Sequence, residues 1–466
     1  MLDPHVCFLR LLGFEGDALD DFMPDWTHAA AFLELSDQDV AYAVDNWLPR
    51  YWDLSLMGVR KLIAACVREV VEISKLEQYK REGMKILYSN PVASHVMLYA
   101  NQLAGEGRLR VAYPDFMVAT VKQAFFGKNM GGGCSCMSCG GQHCALNSVR
   151  VQCCEEGRLP PPTAIWNWGL QCNEAPKTVE MINCLFGEEW TDVVTTFPHD
   201  APLGTTEVND EDCVSYFSAK IREGQRRISE ITGIEVTEEH IRQSLDGYMA
   251  YMARVEKLTD LVVKADPQPI GGNELGHFSI CVQMCFGTGL SYINDAIDTV
   301  LTELEERVKK GEGVLPKGSP KLLCHFQPHG IAWIDRAFLE NGASIALCRI
   351  FPMTSWLDEV RDDADMYRTV ARQCLLWPNS VNMKNEAEIT LRLIKRYDFD
   401  GALYGFFSHD RWTGALHKTM IQDIEEISNV PHYYLEGDFW SDDNYPIESR
   451  LPIIRSICNS LKISRF

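Results

Sequence analysis

Eight short β-prone runs, each separated from the next by a stretch with helical spacing, restrict the fold of this chain more than any other feature. They are KILYS from Lys85, RVAY from Arg110, TAIWNW from Thr163 and DVVTTF from Asp192, then KLLCHF from Lys321, SIALCRI from Ser344, GALYGFF from Gly401 and HYYLEGD from His432. Strands that alternate with helices argue for parallel sheets with helices on their faces, because parallel neighbours need a long crossover between them. A single hydrophobic core stops growing at about 250 to 300 residues, so a chain of 466 residues is expected to form several domains. Upstream of the first run the pattern is helical: Val59, Leu62, Ile63, Cys66, Val67, Val70 and Ile73 recur at helix spacing, with Arg60, Lys61, Arg68, Glu69 and Glu72 on the other side. Between Val208 and Gly311 the strand signals vanish and long amphipathic patterns replace them, including a helix that Thr237 can cap. The Gly- and Pro-rich segment GEGVLPKGSPK, residues 311–321, then marks a boundary. The expected organisation is a helical N-terminal region over 1–80, a first α/β domain over 81–205, a helical bridge over 206–315 and a second α/β domain over 316–466. The similarity of the two halves suggests a duplication.

Composition excludes some functions. A formal charge of −21 opposes a broad nucleic-acid surface, which needs clustered cations. No uncharged apolar run reaches the ~18 residues of a membrane span, and the N-terminal sequence lacks a basic leader followed by an apolar stretch. A cytoplasmic protein with no nucleic-acid or membrane partner is expected. In such a compartment cysteines are kept reduced, which bears on the most unusual segment of the chain. Cys134, Cys136, Cys139, Cys144, Cys153 and Cys154 crowd a loop over 128–154 that contains GGGCSCMSCGGQHC from Gly131. Reduced thiolates at this density suit zinc or an iron-sulfur cluster, and the CxCxxC core decides for neither. Of the 17 cysteines in the chain, about half are expected to be ordinary core residues, since free cysteine packs as a small hydrophobe.

Open parallel sheets bind ligands beyond the carboxyl ends of their strands. Those positions are polar here. His329 follows the fifth run, His409 and Asp410 follow the seventh, Asp438 follows the eighth, and Cys172 follows the third in WNWGLQCNEAPK. Taken singly, each histidine reads as a loop residue, each aspartate as a helix cap and Cys172 as packing. Together they suggest a shared cleft. No nucleophile elbow, phosphate-binding glycine loop or dinucleotide fingerprint occurs in the sequence.

Several segments, in order, are similar to the 2-hydroxyacyl-CoA dehydratase and benzoyl-CoA reductase family. They include YPDFMVATVKQAFFG, PPPTAIWNWGLQCNEAPK, ISEITGIEVTEEHIRQSL, KLLCHFQPHGIAWIDRAFLENGASI, YDFDGALYGFF and NVPHYYLEGDFWSDDNYPIESRLPIIRSI, a span of roughly 80 to 466. The resemblance implies an iron-sulfur D-component built from two flavodoxin-like parallel-sheet domains with helical N-terminal and middle segments. It implies a second homologous subunit or a homodimer, an ATP-hydrolysing activator that injects one low-potential electron, and an acyl-CoA substrate. Members of the family dehydrate a 2-hydroxyacyl-CoA through a ketyl radical or reduce an aromatic ring, and a third branch carries a double-cubane cluster. Such potentials lie within the reach of iron-sulfur clusters.

The chain departs from the three cluster cysteines that the resemblance implies. The position in MVATV has no cysteine, Cys172 is present, and Ser408, His409, Asp410 and Arg411 stand where the third would be. On one explanation Cys134, Cys136, Cys139 and Cys144 fold back and rebuild a [4Fe-4S] or double-cubane cluster with Cys172. His329 or His409 then supplies a proton to the thioester or a hydrogen bond to its oxygen, and Asp410 orients one of them. On another, the site is cluster-free or zinc-bound, with His329, His409 and Asp410 as ligands or acid/base groups. Two further readings are a non-catalytic sibling subunit that acts as a scaffold or docks the activator, and a zinc-stabilised α/β binding protein.

Overall fold

A computed structural model of the chain describes residues 3–89, 94–129, 144–169, 174–187, 190–196, 211–325, 331–349, 356, 361–362, 364–377, 383–406, 421–422, 424–437, 441 and 446–463. The described residues up to Arg81 are mainly helical. They form α1 (Pro4–Leu11), α2 (Gly16–Phe32), α3 (Asp37–Tyr42), a π-helical turn (Ala43–Trp47), α4 (Leu48–Tyr51), α5 (Met57–Ser74) and α6 (Leu76–Arg81). The first sheet region holds β1 (Lys85–Ser89), α7 (His95–Gly105), β2 (Leu109–Ala112), α8 (Pro114–Thr120) with a second π-helical turn (Val121–Phe125), α9 (Ala145–Glu155), β3 (Ala164–Gly169), α10 (Glu174–Phe186) and β4 (Asp192–Thr196). Then come α11 (Glu211–Thr232), α12 (Glu238–Lys264), α13 (Gly272–Ile280) and α14 (Ser291–Lys310). The second sheet region holds β5 (Lys321–His325), α15 (Ala332–Glu340), β6 (Ser344–Arg349), α16 (Met366–Leu375), α17 (Met383–Arg396), β7 (Gly401–Phe406), β8 (His432–Gly437) and α18 (Ile447–Ile463).

Both sheets are parallel throughout, and they share one order: β2-β1-β3-β4 in the first and β6-β5-β7-β8 in the second. This is the strand order with which a flavodoxin-like sheet begins. The strands read as apolar runs because helices cover both faces; Ile86, Leu87, Ile165, Trp166, Leu322, Leu323, Ala402 and Leu403 are all buried. Thr237 caps α12 as its sequence implies, accepting from His240 N while the His240 ring accepts from Thr237 N at 3.1 Å. α14 stops at Gly311, whose φ of 69° is the left-handed turn glycine supplies at a helix end. Among the described residues no helix is long and apolar enough to cross a membrane.

Two buried carboxyls join the N-terminal helices to the middle of the chain, and a third joins α13 to α15. Glu69 of α5 accepts from Gly287 N at 2.9 Å and from Thr288 N and Oγ1 at 2.8 Å. Glu274 of α13 accepts from Asp53 N at 2.8 Å, and Asp335 of α15 accepts from Gly272 N at 3.1 Å. Glu274 and Asp335 line a cavity of about 350 Å³ together with Arg50, Tyr51 and Arg336. Burial, aided by the Asp335 charge, pushes Glu274 up to about 8; burial also pushes Glu69 up to about 7 and Asp335 up to about 6. In the unfolded chain these groups titrate near ~4, so the folded chain holds their protons more tightly. Their contribution to stability is complete below that range and is lost as pH rises through about 6 to 8. Glu274→Gln, which cannot ionise, should therefore gain stability relative to the parent as pH is raised across that window. Thermal unfolding midpoints of the two proteins measure this, and a constant difference across the window contradicts it.

Candidate functional site

In each sheet the strand order reverses beside the central strand, between β1 and β3 and between β5 and β7. The crevice beyond the carboxyl ends at such a reversal is where open α/β sheets bind ligands. Cys172 lies three positions after Gly169, the last residue of β3, and His409 lies three after Phe406, the last residue of β7. The two candidates thus follow corresponding strands of the two sheets at the same interval in sequence. His329 lies four positions after His325 at the end of β5. Cys172, His329, His409 and Asp410 fall outside the described residues, as do Cys134, Cys136, Cys139 and Asp438.

The two stems of the cysteine-rich segment are described, and each is fixed by contacts distant in sequence. Upstream, the indoles of Trp47 and Trp52 both donate to Ala124 O at 2.9 Å. Two outside donors on one carbonyl compete with the α-helical ladder, which suits the π-helical turn there. Gly127 follows with a φ of +64°, and a Cβ there would come within 2.6 Å of the Trp47 ring, so only glycine fits. Lys128 then pairs with Asp39 at 2.6 Å. The N-terminal helices thereby hold the entry to the segment.

Downstream, Cys144 is the N-cap position of α9 and is half-buried. Helix N-termini favour a thiolate. From the second turn of α9, Arg150 Nη2 donates to Ser89 O at the end of β1, at 3.1 Å, and pairs with Asp115 Oδ2 of α8 at 2.7 Å. Both side chains are almost wholly excluded from solvent, 2% and 1% exposed. Burial raises the Asp115 carboxyl above its ordinary range, against the lowering pull of Arg150. One ion pair thus ties both arms of the segment to the carboxyl end of β1. Cys153 differs from Cys144: it is buried, and burial pushes its thiol up to about 12, the behaviour of a core residue. Among the described residues, no three His, Cys, Asp or Glu side chains are grouped to hold a metal ion.

A second cluster lies where the two sheet regions meet. His95, the first residue of α7 after β1, stacks on Tyr248 of α12 with ring centroids 5.9 Å apart, and on Trp377, just past α16, at 5.0 Å. All three rings are buried. Burial alone pulls the His95 imidazole down to about 3, which keeps it neutral near pH 7. In the second sheet a row of buried polar groups crosses the strands: His325 stacks on Tyr404 and Tyr404 on His432, each at 5.4 Å, while Arg349 Nη1 donates to Thr390 Oγ1 at 2.8 Å. Sequence reasoning missed both Arg150 and the His95 cluster. The sequence signal for the cluster is the pair Ser94-His95, which opens a helix just after the first strand.

The family model for the 2-hydroxyglutaryl-CoA dehydratase D-component matches residues 137–452. That is more than half of the chain. The chain belongs to this family. Membership makes it a component of a CoA-thioester dehydratase complex, with a partnering subunit. The match begins inside the cysteine-rich segment, so the N-terminal helices, β1, β2 and α8 precede it. No curated protein matches the chain.

The buried pair makes a sharp stability prediction. Arg150→Met leaves the Asp115 carboxylate without its partner and should cost about 3 to 5 kcal/mol, while adding Asp115→Leu should recover most of that loss. Urea unfolding of the parent, the single and the double variant measures it; a double variant as unstable as the single one would show that the pair is not the source.

Proposed function

We propose that this chain is the iron-sulfur subunit of an ATP-activated dehydratase or reductase complex acting on a CoA thioester, with Cys172 and the cysteines of the segment as cluster ligands. The observation that carries the reading is the placement of both stems of that segment. Arg150 and Asp115 bind them to the end of β1, beside β3, from whose end Cys172 follows by three positions. The donor set fits such a group: Cys134, Cys136, Cys139, Cys144 and Cys172 offer soft sulfur, and Cys144 stands at a helix N-terminus. When bound, a [4Fe-4S] or double-cubane cluster would supply an electron at a potential low enough for a thioester carbonyl. His329 or His409, beyond the corresponding strands of the second sheet, would donate a proton to the thioester or a hydrogen bond to its oxygen, with Asp410 orienting one of them. The activator would be a separate ATP-hydrolysing protein, and the partner a second homologous subunit or another copy of the chain.

A second reading rests on the residues lost from the family pattern. The MVATV segment and Ser408–Arg411 carry no cysteine where the family resemblance implies ligands, which would suit a sibling subunit that shapes the interface while a companion holds the metal.

Iron and acid-labile sulfide assays on anaerobically purified protein separate these readings. The expected result is iron and sulfide in the chain itself, lost in Cys172→Ala and retained in Cys153→Ala. Iron that appears only when a second subunit co-purifies would favour the sibling role. Zinc without sulfide would replace the cluster by a zinc site, and protein with neither metal would overturn the assignment.

A further inference from the structure

We infer that the Tyr248 hydroxyl is a recognition group for the acyl-CoA, donating a hydrogen bond to an oxygen of the acyl group at the junction beyond the carboxyl end of β1. This rests on the acyl-CoA reading above. The observation behind it is a cost without a return. Tyr248 is 2% exposed, and its hydroxyl is buried with no hydrogen-bond partner. Leaving a buried hydroxyl unpaired costs about 1 to 3 kcal/mol, and native proteins keep few such groups. A phenylalanine would fill nearly the same space on the His95 ring without that cost. Groups that break a local rule with no gain to the folded chain concentrate at functional sites.

The place of Tyr248 supplies the rest. Its ring lies against His95, the residue that opens α7 after β1, and His95 in turn lies against Trp377 from the second sheet region. Two other buried donors without acceptors border the same sheet edge: Arg150 Nη1, whose sister nitrogen holds Ser89 O, and the indole N–H of Trp168, one residue before the end of β3. Buried indoles of Trp26 and Trp190 also lack acceptors; Trp26 lies within α2, and Trp190 precedes the amino end of β4. Neither adjoins a carboxyl end.

The chemistry of the junction selects the part of the ligand. The side chains described around Tyr248 are the aromatic rings of His95 and Trp377, and the charge of Arg150 at the strand end is balanced by Asp115. A nucleotide diphosphate would need uncompensated positive charge, whereas a short acyl chain needs apolar walls and a few placed donors. Burial keeps the Tyr248 phenol protonated, so it is a donor at any physiological pH. Entry requires Trp377 to leave the His95 ring, which couples binding to the contact between α7 and α16.

Tyr248→Phe tests the inference with two readouts. Urea unfolding of the variant should show stability equal to or above that of the parent, because an unpaired group has been removed. Calorimetric titration of 2-hydroxybutyryl-CoA and of butyryl-CoA, whose acyl groups are uncharged, into the full-length anaerobic protein, with any subunit that accompanies it, should show affinity weakened about 3- to 10-fold, the worth of one neutral hydrogen bond. Weakening for both ligands places the acceptor on a shared oxygen, and weakening for the hydroxylated one alone places it on the 2-hydroxyl. A variant that binds both as tightly as the parent, or that loses stability, overturns the inference while leaving the acyl-CoA reading in place. A parent that binds neither thioester sinks both.

Discussion

The guanidinium buried at the carboxyl end of β1 is the contact on which the geometry of the candidate site depends. Arg150 reaches from α9 to the last carbonyl of β1 and to Asp115 on α8, so two helices and the central strand of the first sheet share one ion pair. Burying such a pair gains little stability over a well-packed apolar alternative. What it fixes is position. The segment that carries four of the candidate ligand cysteines leaves α8 and enters α9, and the ion pair sets where both helices stand relative to the sheet edge. The N-terminal helices reinforce the same stem through Trp47, Trp52 and Asp39.

Parallel pairing accounts for the remaining arrangement. All strands of one sheet point the same way, so the segments after β1 and β3 leave a common edge, as do those after β5 and β7. In sequence, Cys172 and His409 follow the corresponding strands β3 and β7 at the same interval. An ancestral duplication would produce the shared strand order of the two sheets. The middle helices connect the halves through buried contacts, and the stack of His95, Tyr248 and Trp377 brings α7, α12 and the end of α16 to one point.

The strands were legible in the sequence because a parallel strand covered on both faces shows as a short apolar, β-prone run, as in KLLCHF and GALYGFF. The start of α12 was legible for a local reason, the cap that Thr237 provides. For the site, the sequence marks candidates such as Cys172 and His409 by their place shortly after strand ends, and both lie outside the described residues. Contacts between distant residues were not legible. The π-helical turn before Gly127 depends on indoles more than 70 positions away, and a helical arginine such as Arg150 reads from sequence as a solvent-facing charge. Cys153 shows the converse: its neighbours suggest a ligand, and only its burial shows a core thiol. The His95 cluster joins three residues far apart along the chain, none unusual by itself.

Crystals of the anaerobically purified protein, measured at the iron absorption edge, test most directly whether the cysteine-rich segment delivers metal to the edge of the first sheet. The expected result is anomalous iron density beyond the carboxyl ends of β1 and β3, within bonding distance of Cys172 and of sulfur atoms from the segment between α8 and α9. Iron density confined to the second sheet or to a partner subunit, with those sulfur atoms bare, would contradict it.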